Sequence, residues 1–241
     1  MKSTVDILFE DESLIAVYKP AGMLSIPDRF KPDLPNLQRW MEERYDTVFT
    51  VHRLDKGTSG VLCFARTPEA HRSLSMQFEN RTARKIYHAI TDGFPPADAG
   101  TIDRPLAAHP GKPGLMIVHS KGKPSVTHYE VLKRYRNHAL LSLQLETGRT
   151  HQIRVHLAEI GCPLLVDPRY GKQEAFYLSS VKTRRYQPNR RQEERPLMDR
   201  LTLHAAQLTI AHPVSDEPVT FEAPYPKDFG AVLKQLDKWG L

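Results

Sequence analysis

The stretch Val51-His52-Arg53-Leu54-Asp55-Lys56-Gly57-Thr58-Ser59-Gly60 lies between two short apolar runs, residues 48–51 and 61–65. Both runs are rich in β-branched or aromatic residues, which predicts a strand, a tight loop and a second strand. The two glycines permit backbone angles that other residues resist, and the threonine and serine between them can bond neighbouring amides. Strands on both sides therefore fix a loop that presents one carboxylate, Asp55, between two cations. Spacing alone also allows a plainer interpretation, in which Asp55 caps a turn.

The composition limits the class of protein. Of the 241 residues, 40% are hydrophobic, which is enough for a real core, and the net charge of +6 favours a polyanionic partner. Cys63 and Cys162 lie in apolar surroundings, which favours buried thiols over a disulfide. No run approaches roughly 18 apolar residues, and the first residues lack a signal-peptide pattern. We therefore expect a soluble cytoplasmic protein with no membrane partner.

Periodicity and capping residues predict the elements on either side of the loop. Helices are expected within 36–45, over 67–81 with Thr67 as N-cap, over 151–160 with Thr150 as N-cap and Gly161 at C′, and around 229–236. Strands are expected as a hairpin over 6–18, over 84–90, as a pair over 125–133 and 139–146, and over 201–205 and 219–223.

Residues 147–161 form the second informative stretch. Ile153, Leu157 and Ile160 recur at helical spacing and predict a core-facing stripe. Arg154 lies one residue, or about 100°, from that stripe. It could therefore reach into a cleft at the margin of the core, or it could be a solvated arginine.

The segment His52–Gly60 resembles, over nine consecutive positions, the signature loop of the RluA-type family of RNA pseudouridine synthases. Residues 19–27 resemble the first motif of that family, Tyr87 falls in the second, and 147–171 resemble the third. The resemblance implies an α+β fold, a bent, mainly antiparallel mixed sheet with flanking helices and loops around a central cleft. One catalytic domain is therefore expected over 1–241. Members of that family often carry a small RNA-binding domain at the N-terminus, and none is expected here because the chain leaves no room for it.

The same resemblance implies roles for individual residues. Asp55 would be the essential carboxylate, Arg154 the cation that pairs with it, and Tyr87 the ring that stacks on the target base. Arg53 would fill the gap that the flipped base leaves in the RNA, whereas His52 would be structural. Residues 19–27 are expected to give structural support only. The residues expected to contact RNA are Arg53, Arg149, His151, Lys182, Arg184 and Arg185.

The resemblance further implies the isomerisation of uridine to pseudouridine in a structured RNA, either tRNA or large-subunit rRNA. Because this reaction has no redox change and needs no external energy, no cofactor and no metal are expected. Without an obvious interface stripe, the expected state is a monomer. Residues 176–200 carry seven cations against three carboxylates and few apolar anchors, which predicts a mobile basic insertion loop that is either solvated or in contact with RNA.

Three other classes of protein fit the sequence less well. A non-catalytic RNA-binding protein of the same fold would share the basic charge, but it would not need Asp55, Tyr87 and Arg154 together. A glycoside hydrolase needs a second carboxylate across the bond, and no other acid stands in a comparable loop. A zinc enzyme is disfavoured because His151 and His156 are five residues apart and no CxxC or HExxH occurs.

Overall fold

The computed structural model describes residues 5–182 and 194–240. In these ranges the chain forms twelve strands and four α-helices. The strands are β1 (Asp6–Glu10), β2 (Leu14–Lys19), β3 (Phe49–Thr50), β4 (Ser59–Ala65), β5 (Arg84–Asp92), β6 (Ala99–Asp103), β7 (Leu106–Ala108), β8 (Met116–Val118), β9 (Val126–Arg134), β10 (His138–Leu145), β11 (Leu203–Ala211) and β12 (Pro218–Glu222). The helices are α1 (Leu37–Glu42), α2 (Pro68–Glu79), α3 (Gln152–Glu159) and α4 (Lys227–Trp239), with a short 3-10 helix at Leu178–Ser180.

Local sequence explains where the first two helices begin. The Asn36 side chain accepts a hydrogen bond from the Arg39 N–H at 2.9 Å, and the Thr67 hydroxyl accepts one from Ala70 at 3.1 Å. Pro68 then opens α2, where its missing N–H costs nothing. The predicted caps of α2 are therefore confirmed. In the part of the chain that the structure describes, none of the helices has the length and apolar character needed to cross a bilayer.

The chain divides into two compact units, Met1–Tyr87 with His204–Pro224 and His88–Leu203 with Tyr225–Leu241. In the first unit the strands follow the order β1-β2-β4-β11, with β3 also on β4 and β12 also on β11. The β4–β11 pair is parallel, whereas the other pairs in this unit are antiparallel. A mixed, mainly antiparallel α+β fold is thus confirmed, and the single domain over 1–241 stays a prediction.

Strand β4 is the centre of the first unit, because all seven of its residues are buried. Side chains alternate across a strand, so its two faces enter two separate cores. Val61, Cys63 and Ala65 pack with residues of α2, whereas Leu62 and Phe64 pack with residues of α1. Both neighbouring strands and both helices therefore hold β4 in place, so the loop that precedes β4 ends on a firmly held strand.

The second unit contains the predicted pair β9–β10, which is antiparallel. Alternate residues of β10 are buried, as the sequence predicts for Ala139, Leu141, Leu143 and Leu145. On another side of the unit, Phe229, Val232 and Leu236 of α4 join a core that includes Val166 and Phe176. Strands β7 and β8 pair with each other to form a separate two-stranded hairpin.

The start of α3 differs from the prediction. Its N-cap is His151, which has a left-handed φ of 55° and makes no capping hydrogen bond through its side chain, so Thr150 as N-cap is wrong. The Gln152 side chain instead folds back and accepts hydrogen bonds from the Arg149 N–H at 3.0 Å and the Thr147 hydroxyl at 2.7 Å. Gly161, with φ of 80°, ends the helix as predicted.

Candidate active site

The backbone on both sides of Asp55 is tethered within the first unit. The buried residue Leu54 donates its N–H to the Ser25 hydroxyl at 3.0 Å, and its carbonyl accepts that hydroxyl at 2.9 Å. The Lys56 carbonyl accepts the Gly22 N–H at 2.7 Å. Asp55 itself accepts the Thr58 N–H through its carbonyl at 3.0 Å, which closes the turn. The Asp55 side chain, half-exposed to solvent, is therefore presented from a loop fixed at both neighbours.

A buried lysine holds this loop in place by hydrogen bonds to backbone carbonyls. The side chain of Lys19 is fully buried, and its ammonium donates to the carbonyls of Met23 at 2.7 Å, Pro20 at 3.0 Å and Lys56 at 3.4 Å. A buried cation is tolerated only when such acceptors replace water. Lys19 thus joins the segment 19–27 to the loop of Asp55, which confirms the structural role expected for that segment.

The loop ends on β4, which is fixed by the strand beside it. A β-carbon on Gly60, whose φ is 126°, would overlap the backbone of Ala205 on β11, so only glycine fits there. Beside it, His204 donates from Nε2 to the Ala223 carbonyl at 3.0 Å. Nδ1 of the same ring lies 3.0 Å from the Ser59 hydroxyl, which donates to it when the ring is neutral.

His52 is a neutral acceptor in the core of the unit, which confirms the structural role expected for it. Its Nε2 accepts the Cys63 N–H at 3.1 Å, and its ring stacks on Phe78 with centroids 4.5 Å apart. Burial, with a smaller effect from the charge of Lys85, lowers the pKa of His52 to about 3. The imidazole is therefore uncharged throughout the physiological pH range.

The negative charge of Asp55 acts on the hydroxyl of Tyr87. Its half-buried ring packs against the core that contains Leu54. Burial raises the pKa of Tyr87 well above its ordinary value of 10.0, and the negative charge of Asp55 raises it further. Two of the three predicted catalytic residues, Asp55 and Tyr87, are therefore within electrostatic range of each other, and the phenol stays protonated.

Arg154, the third predicted catalytic residue, lies in the second unit. Its side chain is 5% exposed, and it makes two parallel hydrogen bonds to Asp167, Nε to Oδ2 at 2.7 Å and Nη2 to Oδ1 at 2.9 Å. Burial tends to raise the pKa of Asp167. The hydrogen bonds and charge of Arg154, with the N–H groups of Arg169 and Tyr170, outweigh burial and hold the pKa below its ordinary value. The predicted pair of Arg154 with Asp55 would join the two units and stays a prediction.

Tyr170 connects Arg154 to His151. The Arg154 guanidinium carbon lies 4.9 Å from the centroid of the Tyr170 ring, a cation–π arrangement. The Tyr170 hydroxyl accepts the Met116 N–H at 2.8 Å, so its single proton points to Nδ1 of His151, also at 2.8 Å. With Nδ1 accepting, a neutral His151 carries its proton on Nε2.

The other residues predicted to contact RNA have different surroundings. Arg53 is exposed in the first unit, and Arg149 is partly exposed in the second, with Nε 3.4 Å from the Pro124 carbonyl. Lys182 is half-buried, with its ammonium 5.0 Å from the centroid of the Trp239 ring. The remaining two, Arg184 and Arg185, lie outside the described residues.

The predicted insertion at 176–200 is better anchored at its ends than its sequence indicates. Phe176 and Met198 are buried and paired, with the Phe176 N–H donating to the Met198 carbonyl at 2.7 Å. Arg200 makes two hydrogen bonds to Asp228, both at 2.6 Å, so this cation is neutralised within the unit. The expectation of few apolar anchors is therefore wrong for the two ends of the segment.

Metal chemistry finds no support in residues 5–182 and 194–240, where no group of three His, Cys, Asp or Glu side chains could hold an ion. His156, which the sequence disfavours as a zinc ligand, is buried. Its ring nitrogens are hydrogen-bonded to the Thr127 hydroxyl and the Arg104 carbonyl, both at 2.9 Å. Both cysteines are buried free thiols, as predicted.

Three residues that make structural contacts in the two units were given no role of their own from the sequence. Lys19 lies in residues 19–27, which were expected to give structural support only. Asp167 and Tyr170 lie in residues 147–171, where the sequence drew attention to other side chains. A signal was present for Asp167, because an acidic residue that directly follows the apolar run Leu164–Val166 has to find a partner. For Lys19, the last residue of a buried strand, the sequence offered no equivalent signal.

Comparison with known proteins gives consistent matches. The family model described as RNA pseudouridylate synthase matches residues 13–159. The chain is 36% identical over 240 residues to ribosomal large subunit pseudouridine synthase D of Haemophilus influenzae, covering 96% of this chain and 71% of that one. The solved structure of human RNA pseudouridylate synthase domain containing 4 has a TM-score of 0.73 at 25% identity, covering 96% of this chain and 93% of that one. For human RNA pseudouridylate synthase domain containing 1 the TM-score is 0.70 at 27% identity, with coverages of 92% and 84%.

Proposed function

Because this chain belongs to the RluA-type family of RNA pseudouridine synthases and is therefore an isomerase, we propose that it converts uridines of large-subunit ribosomal RNA to pseudouridine, with Asp55 as the essential carboxylate. The relative from Haemophilus influenzae is named for that RNA, and the two proteins align over almost all of this chain. Transfer RNA is the alternative substrate. An enzyme acting on either RNA is expected in the cytoplasm, as a monomer.

The observation that carries the proposal is that a fixed loop presents Asp55 where its charge raises the pKa of Tyr87. The reaction breaks the C–N glycosidic bond of uridine, turns the uracil and rejoins it to the ribose through carbon 5. It needs one carboxylate that is ionised when the base arrives. Asp55, half-exposed and presented between tethered residues, can meet a base without rearrangement of its own backbone.

Tyr87 supports Asp55 by offering a ring to the base. Taking a uridine out of a structured RNA costs a few kcal/mol, and stacking on an aromatic ring returns about 1–3 kcal/mol. Since the pKa of Tyr87 is raised, its hydroxyl acts as a hydrogen-bond donor and not as a base. Exposed Arg53, two residues before Asp55, is suited to fill the space that the base leaves in the RNA.

For Arg154 the proposal rests on the motif match. A cation within about 4–6 Å of an aspartate typically lowers its pKa by about 1–3 units, which would keep Asp55 ionised inside an enclosed complex. A guanidinium has five N–H donors. Asp167 accepts from two of them.

The test replaces Asp55 by asparagine, which keeps the size of the side chain and removes its charge. Asp55→Asn should bind RNA nearly as the wild type does and form no pseudouridine. The matched control is Asp46→Asn, an exposed aspartate of the same unit, and it should keep full activity. The readout is a pseudouridine map of large-subunit rRNA and tRNA from a deletion strain that carries each variant.

The outcomes separate the possibilities. Pseudouridine formed by Asp55→Asn would remove Asp55 from its role. A wild-type protein that binds RNA but restores no pseudouridine would favour the non-catalytic RNA-binding protein of the same fold. Sites restored only in tRNA would replace the proposed substrate and keep the reaction.

A further inference from the structure

A basic cleft of about 530 Å³ lies within the second unit and is not lined by the loop of Asp55. It is formed by the β7–β8 hairpin, the turn that follows β8, and the turn before α3. Its lining combines three cations with small or apolar side chains: Lys121, Lys123 and Arg149, with Leu106, Ala107, Ala108 and Met116. Clefts that bind ligands typically measure about 300–1,000 Å³, so this one can hold one or two nucleotides of an RNA strand.

The charge around this cleft has one sign. Segments 104–129 and 147–158, which supply its walls, contain no aspartate or glutamate. Their cations are Arg104, Lys112, Lys121, Lys123, Arg149 and Arg154. Asp167 neutralises Arg154, whereas the described residues that line the cleft include no carboxylate to neutralise the lysines or Arg149. A concentration of positive charge on a cleft wall attracts a polyanion, and a phosphate backbone is the polyanion that this enzyme meets.

The backbone that carries the two lysines is rigid. Lys123 and Leu106 exchange two hydrogen bonds, of 2.8 and 2.9 Å, and Lys121 lies in a turn that the Gly122 N–H closes onto the His119 carbonyl at 2.8 Å. A β-carbon on Gly122 would come within 2.6 Å of the Leu106 backbone, so this close approach requires glycine. The lysines are therefore held side by side and lose little backbone freedom on binding.

The hairpin on the other side of the cleft is also fixed. The Met116 N–H donates to the Tyr170 hydroxyl at 2.8 Å, and Arg169 Nη1 donates to the Gly114 carbonyl at 2.7 Å. Met116 itself is half-buried and faces the cleft. A methionine is adaptable and apolar, which suits contact with the face of a base whose identity is not specified.

We propose that this basic cleft binds a segment of the substrate RNA outside the target uridine, with phosphates on Lys121, Lys123 and Arg149 and a base against Met116. The proposal rests on the proposed function, because it takes RNA as the substrate. It adds a second, sequence-tolerant contact that holds the RNA while a single base is flipped. Such a contact would contribute to RNA affinity and to kcat/KM at low substrate, but not to the chemical step.

The first test compares Lys121→Gln/Lys123→Gln with Lys227→Gln/Lys234→Gln. The control removes the same charge from exposed residues of α4 in the same unit, away from the cleft. Kd is measured for in vitro transcribed large-subunit rRNA and for tRNA between 50 and 200 mM salt. Two lost phosphate contacts should lower the slope of log K against log salt by about 1.4–1.8. The ratio of variant to wild-type Kd should then fall roughly 7- to 12-fold across that range.

The second test changes the charge at one position inside the cleft. Ala108→Glu and Ala108→Lys introduce side chains of similar length at an exposed residue that lines it. Ala108→Glu should weaken RNA binding and lower kcat/KM, whereas Ala108→Lys should strengthen binding or leave it unchanged. Thermal unfolding of each variant shows that the fold is intact.

Failure of this inference is distinguishable from failure of the proposed function. If the wild type forms pseudouridine only in tRNA, or in neither RNA, the proposed function is wrong in that respect. The binding tests remain valid, because they use whichever RNA the wild type binds. If the double lysine variant matches its control in salt slope, and the two Ala108 variants bind alike, the cleft does not contact RNA. An acidic protein partner would then be the remaining occupant.

Discussion

The pair of Arg154 and Asp167 yields the sharpest stability prediction, because the two side chains are only 5% and 0% exposed. Asp167→Asn keeps the shape of the side chain but removes the carboxylate charge that Arg154 pairs with in a buried site. Breaking a buried pair from one side costs about 3–5 kcal/mol, because the remaining charge is desolvated and uncompensated. The free energy of unfolding of the second unit should fall by that amount.

The control is an ion pair of similar length at the surface. Arg134 and Asp98 lie 2.7 Å apart, with side chains 43% and 79% exposed. Water already solvates both groups, so Asp98→Asn should cost about 0–1 kcal/mol. The two substitutions are chemically identical and lie in one unit, so burial is the principal variable between them.

Urea titration followed by tryptophan fluorescence measures both costs. Trp239 belongs to the unit that contains the pair, whereas Trp40 belongs to the other, so a Trp40→Phe background makes the signal specific. The pKa of Asp167 in the folded protein lies below its ordinary value of 3.8, so its stabilisation is complete above that pH. The difference between wild type and Asp167→Asn should therefore be constant at neutral pH and shrink as pH falls below about 4. Equal costs for Asp167→Asn and Asp98→Asn would refute the reasoning from desolvation.

Three further predictions concern the first unit. Gly60→Ala should prevent stable folding or lower the melting temperature sharply, because its methyl group would overlap the Ala205 backbone. As a control in the second unit, Gly230→Ala lies in a helix with open space around it and should stabilise the folded protein by up to about 1 kcal/mol. Tyr87→Phe should keep RNA affinity and Tyr87→Ala should weaken it by about 1–3 kcal/mol of stacking; equal affinities by fluorescence anisotropy would exclude a stacking role. His52, with its pKa near 3, should show no change of NMR chemical shift due to its own protonation between pH 5 and 8.

Much of the first unit could be predicted from sequence, because its signals are local. A threonine followed by proline fixes the start of α2, and short apolar runs on either side of Asp55 predict the strands that flank its loop. The resemblance of residues 52–60 to a family signature then assigns the reaction. These features depend on neighbours a few positions away, which is the range in which sequence patterns are most reliable.

The parts that could not be predicted depend on partners distant in the chain. Arg154 was expected to need a carboxylate, but its spacing on α3 gave no reason to choose Asp167. Thr150 looked like a helix cap, yet the side chain of Gln152 satisfies the nearby backbone by folding back, and the helix begins one residue later. Lys19 reads as the end of a strand, although three carbonyls gathered by two loops surround its ammonium.

The parallel pairing of β4 with β11 has a consequence for how this protein is made. His204 and Ala205 pair with β4, whose other partners β2 and β3 are synthesised within the first 65 residues, and residues 88–203 of the second unit are translated in between. On the ribosome, this edge of β4 therefore has to wait for a strand that emerges near the end of the chain. The Asp55 loop gains its Ser59 anchor only then, so a nascent chain stopped before residue 203 cannot hold it in its final form.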